Sequence, residues 1–241
     1  MEALLANDAH RPWPTPECRW QYYQEWNNAL FLHWSIAKEK LIPLVPKELP
    51  LDTYDGMAYI SLVAFTMEQV RPRGLPSVKY ISFFEEINVR TYIDRDGNKG
   101  VHFLSIEAGK TLSAFIARSL SALPYERSII HRKEGQVTSR HRSGRKKLDT
   151  HYVVGGPLEE KDALDIWLTE RYCLYYMDRG IARLYEVHHE EWPLYNVELR
   201  SLDVAFDLAN DISLRHPPER VHYSPGVKVL SWPSVKCRDN G

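Results

Sequence analysis

The sequence predicts a mainly β fold of the α+β class, and three observations predict it. Ile87, Val89, Thr91 and Ile93 alternate with Glu86, Asn88, Arg90 and Tyr92, the period of two that marks a strand. A glycine-containing turn, Asp94 to Gly100, joins this strand to a second β-rich run, Val101 to Glu107, so the two form a hairpin. Fourteen tyrosines, seven tryptophans and seven phenylalanines suit strands and the walls of pockets.

The remaining elements follow in order. Residues 1 to 20 hold Pro12, Pro14 and Pro16 with Trp13 and Trp20, and read as an extended arm held down by its tryptophans. Asn28 to Ile36 is a strand, Ala37 to Leu44 a short helix, and Leu49 to Asp55 a loop. Gly56 to Val70 is a long apolar strand or strand pair, broken by the prolines and glycine of Arg71 to Pro76. After the central hairpin the period changes: Leu112, Phe115, Ile116 and Leu120 share a helical stripe that Pro124 ends. Ser128 to Ile130 is a short strand, and Gly135 to Gly155 a hairpin around Ser143 and Gly144. Glu159 to Leu168 is helical, Thr169 to Tyr176 and Ile181 to Val187 are strands around a turn, and Trp192 to Leu199 is another strand. Leu202 to Ile212 is a short mixed segment, and Val221 to Trp232 a final turn and strand. No repeat and no long linker interrupts the chain, so residues 1 to 241 read as one domain.

Composition narrows the function classes. A net charge of −1 supplies no field for nucleic acid or anionic lipid. No run of 18 apolar residues exists, so no helix spans a membrane. Cys18, Cys173 and Cys237 show no metal or disulfide spacing. With no basic, apolar leader at the N-terminus, a reducing, cytoplasmic setting is expected. Arg140, His141, Arg142, Arg145, Lys146 and Lys147 form a basic segment without an interleaved aromatic. That segment reads as the charged edge of a hairpin and not as a nucleic-acid site. His188, His189, Glu190 and Glu191 are adjacent, but strand neighbours face opposite ways, so no metal site is expected. His33 lies inside a strand, where a lone histidine is more often a hydrogen-bonded core residue than a ligand. The polar face of Glu86, Asn88, Arg90 and Tyr92 has two readings. It faces solvent, the commoner case in antiparallel sheets, or it lines a polar cavity in a barrel.

Three stretches carry a resemblance: K-L-I-P-L-V-P-K-E-L-P-L-D-T-Y-D-G, F-F-E-E-I-N-V-R-T-Y-I with G-N-K-G-V-H-F-L-S-I-E-A, and A-R-S-L-S-A-L-P-Y. With L-T-E-R-Y-C-L-Y and E-W-P-L, they resemble the YqjF-like family, whose function is uncharacterised. That family in turn resembles the acetoacetate decarboxylases. The resemblance implies a cone-like antiparallel β-barrel with flanking helices and a closed cavity for a small molecule.

It also implies a departure. The decarboxylases carry, after the proline that Pro124 matches, a lysine that forms a Schiff base and a second lysine that lowers its pKa. Here those positions hold Tyr125 and Glu126. Tyrosine has no amine and forms no imine, so acetoacetate decarboxylase activity is not expected. Glu86 matches an acidic residue of the family's site, and an arginine of that site falls near Asn27. The expected site therefore has Glu86 as base and Tyr125 as acid. His33, Asn88, Arg90 and Arg118 would bind the ligand, a carboxylate or carbonyl compound, with no cofactor and no metal. A non-catalytic binding module on the same fold is the alternative, and a homo-oligomer is compatible with either.

Overall fold

The computed structural model describes residues 1–78, 82–109, 123, 125–206, 208 and 212–237. The described residues form twelve strands. They are β1 Tyr22–Ile36, β2 Ala58–Pro72, β3 Phe84–Arg95, β4 Asn98–Ala108, β5 Tyr125–Lys133 and β6 Gln136–His141. After them come β7 Lys146–Pro157, β8 Cys173–Asp178, β9 Ile181–His189, β10 Tyr195–Phe206, β11 Arg220–Ser231 and β12 Val235–Lys236. The helices are short: α1 Glu2–Ala6, α2 Lys38–Leu41 and α3 Ala163–Thr169. The helix read over Leu112 to Leu120, and Arg118 with it, lies outside the described residues.

The sheet closes on itself twice. Strands run β12-β9-β8-β4-β3-β2-β1-β11-β10-β7-β6-β5, and β9 also pairs with β11 while β4 also pairs with β5. One closure is a nine-strand barrel through β5, β6, β7 and β10; the other is a seven-strand ring through β8 and β9. Five strands, β4-β3-β2-β1-β11, belong to both. The outer edge of β4 forks: Val101 and His102 pair with β8, and Ile106 to Ala108 pair with β5. Both of these seams are parallel, which departs from the wholly antiparallel barrel that the resemblance implied. Gly100 makes the first seam possible, because a Cβ there would lie 2.6 Å from Cys173 Sγ and 2.7 Å from its carbonyl oxygen.

Two closures give the shared sheet two buried faces and two cores. Leu30, Leu32, Ile60, Leu62, Ile87 and Val89 pack toward β6, β7 and β10. Phe31, Val63, Phe65 and Tyr92 pack toward β8, β9 and α3. The solvent reading of the polar β3 face is thereby overturned. Glu86 and Asn88 are each 3% exposed and Tyr92 is fully buried. The period-two pattern cannot distinguish water from a polar interior.

The central hairpin pairs as expected, Glu86 opposite Ala108 through Arg95 opposite Asn98. Its turn is tighter than the span Asp94 to Gly100. Asp96 and Gly97 both take positive φ, +58° and +82°, the two-residue turn that matches strand twist. Other boundaries also move. Thr169 ends α3 instead of opening a strand, and β10 runs on to Phe206 through the segment read as mixed. The arm over residues 1 to 20 is not wholly extended, since Glu2–Ala6 is a helical turn with Leu4 buried.

Candidate active site

A cavity of about 100 Å³ lies inside the seven-strand ring. The strands place its walls: Trp26 and Phe31 from β1, Val63 and Phe65 from β2, Asn88 and Arg90 from β3. Phe103 of β4, Tyr125 of β5, Tyr185 of β9 and Trp192 complete most of it, with Arg171 beside β8. Among the described residues no lysine lines it.

Glu86 stands directly behind this wall. Its Oε2 accepts from the Tyr125 hydroxyl at 3.1 Å, and its Oε1 from Asn88 Nδ2 at 3.3 Å. Both donors line the cavity, whereas the carboxyl itself does not. The period of two puts Glu86 and Asn88 on one face of β3. The parallel seam of β4 and β5, Ile106 opposite Tyr125, brings the tyrosine to them. Burial raises the Glu86 carboxyl to about 7, against the opposing hydrogen bonds from Asn88 and Tyr125. Burial also pushes the Tyr125 hydroxyl well up, and the neighbouring Glu86 adds to the effect. The tyrosine therefore keeps its proton at neutral pH, while the carboxyl behind it gains or loses one there.

Two lining side chains, Arg90 and Arg171, are held by the C-terminal end of α3. A capping box formed by Asp162 and Asp165 starts this helix. Its last carbonyls lack helical donors and take side-chain ones. Arg90 Nη2 donates to the Leu168 carbonyl at 3.3 Å, the Tyr92 hydroxyl to the same oxygen at 2.9 Å, and Arg171 Nε to the Trp167 carbonyl at 2.7 Å. Arg171 also pairs with Asp52 at 2.7 Å. Four polar atoms on cavity-lining side chains stay buried without a hydrogen-bond partner: Trp26 Nε1, Asn88 Oδ1, Arg90 Nε and Arg171 Nη2.

His33 is fully buried and is not part of the cavity lining. It belongs to a chain of close polar contacts that crosses four strands. Tyr92 meets Ser61 at 2.5 Å, Ser61 meets His33 Nδ1 at 2.6 Å, and His33 Nε2 meets His222 Nδ1 at 3.3 Å. His222 Nε2 ends the chain on Asp165 Oδ1 of α3 at 2.9 Å. Burial, then His222, Arg90 and Arg220, hold the His33 imidazole well below its ordinary pKa. The chain fastens α3 against the ring.

The structure thus brings Tyr125, Asn88 and Arg90 to one wall, with Glu86 behind it and His33 in the adjoining network. Asn27 bonds instead to Glu68 at 2.5 Å. Arg171 and Trp26 escaped the sequence reading. Arg171 sits within L-T-E-R-Y-C-L-Y, a stretch that read simply as a strand. Among the described residues no three His, Cys, Asp or Glu side chains cluster as metal ligands.

Solved structures with this fold include MppR, an enduracididine biosynthesis enzyme complexed with pyruvate. It is 10% identical with a TM-score of 0.58, over 95% of each chain. An acetoacetate decarboxylase-like enzyme from Sphingomonas wittichii RW1 is 14% identical with a TM-score of 0.58, over 95% of this chain and 98% of that one. An acetoacetate decarboxylase from Legionella pneumophila is 11% identical with a TM-score of 0.56, over 97% and 95%. At such identities the likeness establishes the decarboxylase-like barrel alone. The uncharacterized protein YqjF of Bacillus subtilis (strain 168) is 35% identical over 229 residues, 92% of this chain and 94% of that protein. The model of the DUF2071 family, described as an uncharacterized conserved protein, matches residues 23–228, and the chain belongs to that family.

Proposed function

We propose that the protein binds a small carbonyl-bearing molecule in the seven-strand ring and exchanges a proton with it through Tyr125, without an imine. One observation carries this reading: Tyr125 lines the cavity, and its hydroxyl donates a 3.1 Å hydrogen bond to a buried carboxyl that burial raises to about 7. With Glu86 ionised, the tyrosine directs its O–H at the carboxylate and offers only lone pairs inward. With Glu86 protonated, the carboxyl donates to the phenolic oxygen, and the tyrosine's own proton is free for a carbonyl oxygen. Tyr125 is then the group that touches the ligand, and Glu86 is its proton reserve. The MppR relative that holds pyruvate lends the reading support by fold only.

The aromatic wall of Trp26, Phe31, Phe65, Phe103 and Trp192 favours a second reading, a binding module without chemistry. Three cysteines outside any disulfide, two of them buried, fit a reducing, cytoplasmic setting for either.

The test is ligand-observed NMR with small ketones and 2-oxo acids, at pH 6 and pH 8, on the wild type and Tyr125→Phe. Tighter binding at pH 6 that Tyr125→Phe abolishes is the expected result. Solvent exchange of the ligand's α-protons, lost in the same variant, would mark catalysis. Binding that ignores both pH and the substitution would leave the module, and no binding would end both readings.

A further inference from the structure

The N-terminal arm is tied down at few points. Of residues 1 to 20 only Leu4 and Arg11 are buried, and both anchors lie against β9. Tyr185 and Val187 of that strand line the cavity. Glu186 and His188 alternate with them and so face the other way, toward the arm. Arg11 Nη2 pairs with Glu186 Oε2 at 3.0 Å, and Trp13 Nε1 donates to the same oxygen at 3.1 Å. Two carbonyls of β9 also take arm side chains as donors. That of Val187 accepts from Arg11 Nη1 at 2.6 Å, and that of His189 from His10 Nε2 at 2.8 Å. The Leu4 carbonyl accepts in turn from His188 Nε2 at 2.8 Å.

These contacts converge on His188. It is fully buried, the His10 ring stacks on it at 5.7 Å, and its Nδ1 has no hydrogen-bond partner among the described residues. With Nε2 donating to Leu4, the neutral imidazole keeps a bare lone pair at Nδ1. A second proton would place an N–H there with no acceptor, and a charge out of reach of water. Burial holds the imidazole below its ordinary pKa; the Leu4 carbonyl opposes this, Arg11 and His10 add to it, and Asp8 opposes it again. The other neighbours supply no counter-charge. On β9 itself, Glu186 is occupied by Arg11 and Trp13. On β11, Leu230 stands opposite His188 and is apolar. The Tyr172 ring, which Arg11 and His10 flank, has its hydroxyl on Glu170.

We infer that the N-terminal arm is a pH-released strap, latched over β9 through neutral His188 and freed by protonation of that imidazole while the sheet stays folded. The direction follows from linkage. The docked arm favours the unprotonated ring, so docking is strongest above the ordinary histidine value of 6.5 and weakens as pH falls below it. One proton taken up on release limits the change to about tenfold per pH unit. Release also withdraws Arg11 from the carbonyl of Val187, a residue of the cavity wall. The strap therefore links acidity to the stiffness of that wall, whatever the cavity holds.

Hydrogen–deuterium exchange at pH 7.5 and pH 5.5, corrected for the intrinsic rate, tests this. In the wild type, residues 2 to 18 are expected to lose protection severalfold at the lower pH, up to about tenfold. Val187 to His189 are expected to lose some with them, and β2 and β3 none. His188→Gln keeps an N–H for the Leu4 carbonyl and cannot titrate, so its arm is expected to be equally protected at both values. Should the arm of that variant not dock at all, the imidazole ¹⁵N shifts of the wild type decide: the midpoint for His188 must coincide with the loss of arm protection. A wild-type arm equally protected at both values would overturn the strap. So would a loss that persists in a docked His188→Gln, or a His188 that stays neutral while the arm comes free.

Discussion

Glu86 carries a stability cost that pH should reveal. Its pKa is about 7 in the fold against an ordinary 4.5, so the folded state holds the proton more tightly than the unfolded chain. Stability is therefore highest below the unfolded value and falls as pH rises from about 4.5 to about 7. The whole loss is on the order of ~3 kcal/mol. Urea unfolding across that range should show it, and Glu86→Gln should flatten it and be the more stable protein at pH 8. A wild-type profile that is flat between those limits would contradict the burial argument. The histidine chain makes a second residue-scale prediction. Tyr92 spends its proton on the Leu168 carbonyl, so Ser61 donates to Tyr92 and accepts from His33 Nδ1–H. Asp165 takes the Nε2 proton of His222. Two lone pairs then face each other across the 3.3 Å contact, the longest of the chain. Imidazole ¹⁵N shifts should show His33 as the Nδ1–H tautomer and His222 as the Nε2–H tautomer.

At the scale of elements, the seam between β4 and β8 depends on one missing side chain. Gly100→Ala puts a Cβ within 3 Å of Cys173 Sγ, of the Cys173 carbonyl oxygen and of the Tyr175 ring. The backbone contact cannot be relieved by a rotamer change. Thermal unfolding should show a loss of about 1–3 kcal/mol, the range of overpacked cores, whereas Gly144→Ala, in an open turn with nothing nearby, should lose only the smaller cost of its positive φ. Periodicity made the β3–β4 hairpin legible, because alternation and turn chemistry are both local. The residues from Thr169 to Cys173 were not legible. Their helix end is set by Arg90, Tyr92 and Arg171 reaching its carbonyls, donors that stand far away or just beyond in sequence. Glu86 and Tyr125 were named together through a family resemblance, yet the seam that joins them is a parallel pairing that no local pattern announces. Arg171 was missed for the same reason: a strand-like run conceals a residue whose partners, Asp52 and Trp167, come from a loop and a helix.

At the scale of the molecule, the resemblance puts Tyr125 where the decarboxylases carry their imine lysine, so no imine with a ketone is expected. Sodium borohydride with acetoacetate or pyruvate should leave the protein's mass unchanged. A reduced adduct on any lysine would show that the amine chemistry had moved elsewhere. The five shared strands have a different consequence. Because β4, β3, β2, β1 and β11 close both rings, they form a shared partition with a hydrophobic core packed on each side. Neither chamber can open by shedding a wall of its own, since its back wall is also its neighbour's. Two cores should then melt as one. Trp34 reports from one chamber and Trp192 from the other. Single-tryptophan versions retaining either residue should give superimposable denaturation curves, and the amides of the partition should exchange with deuterium last and together.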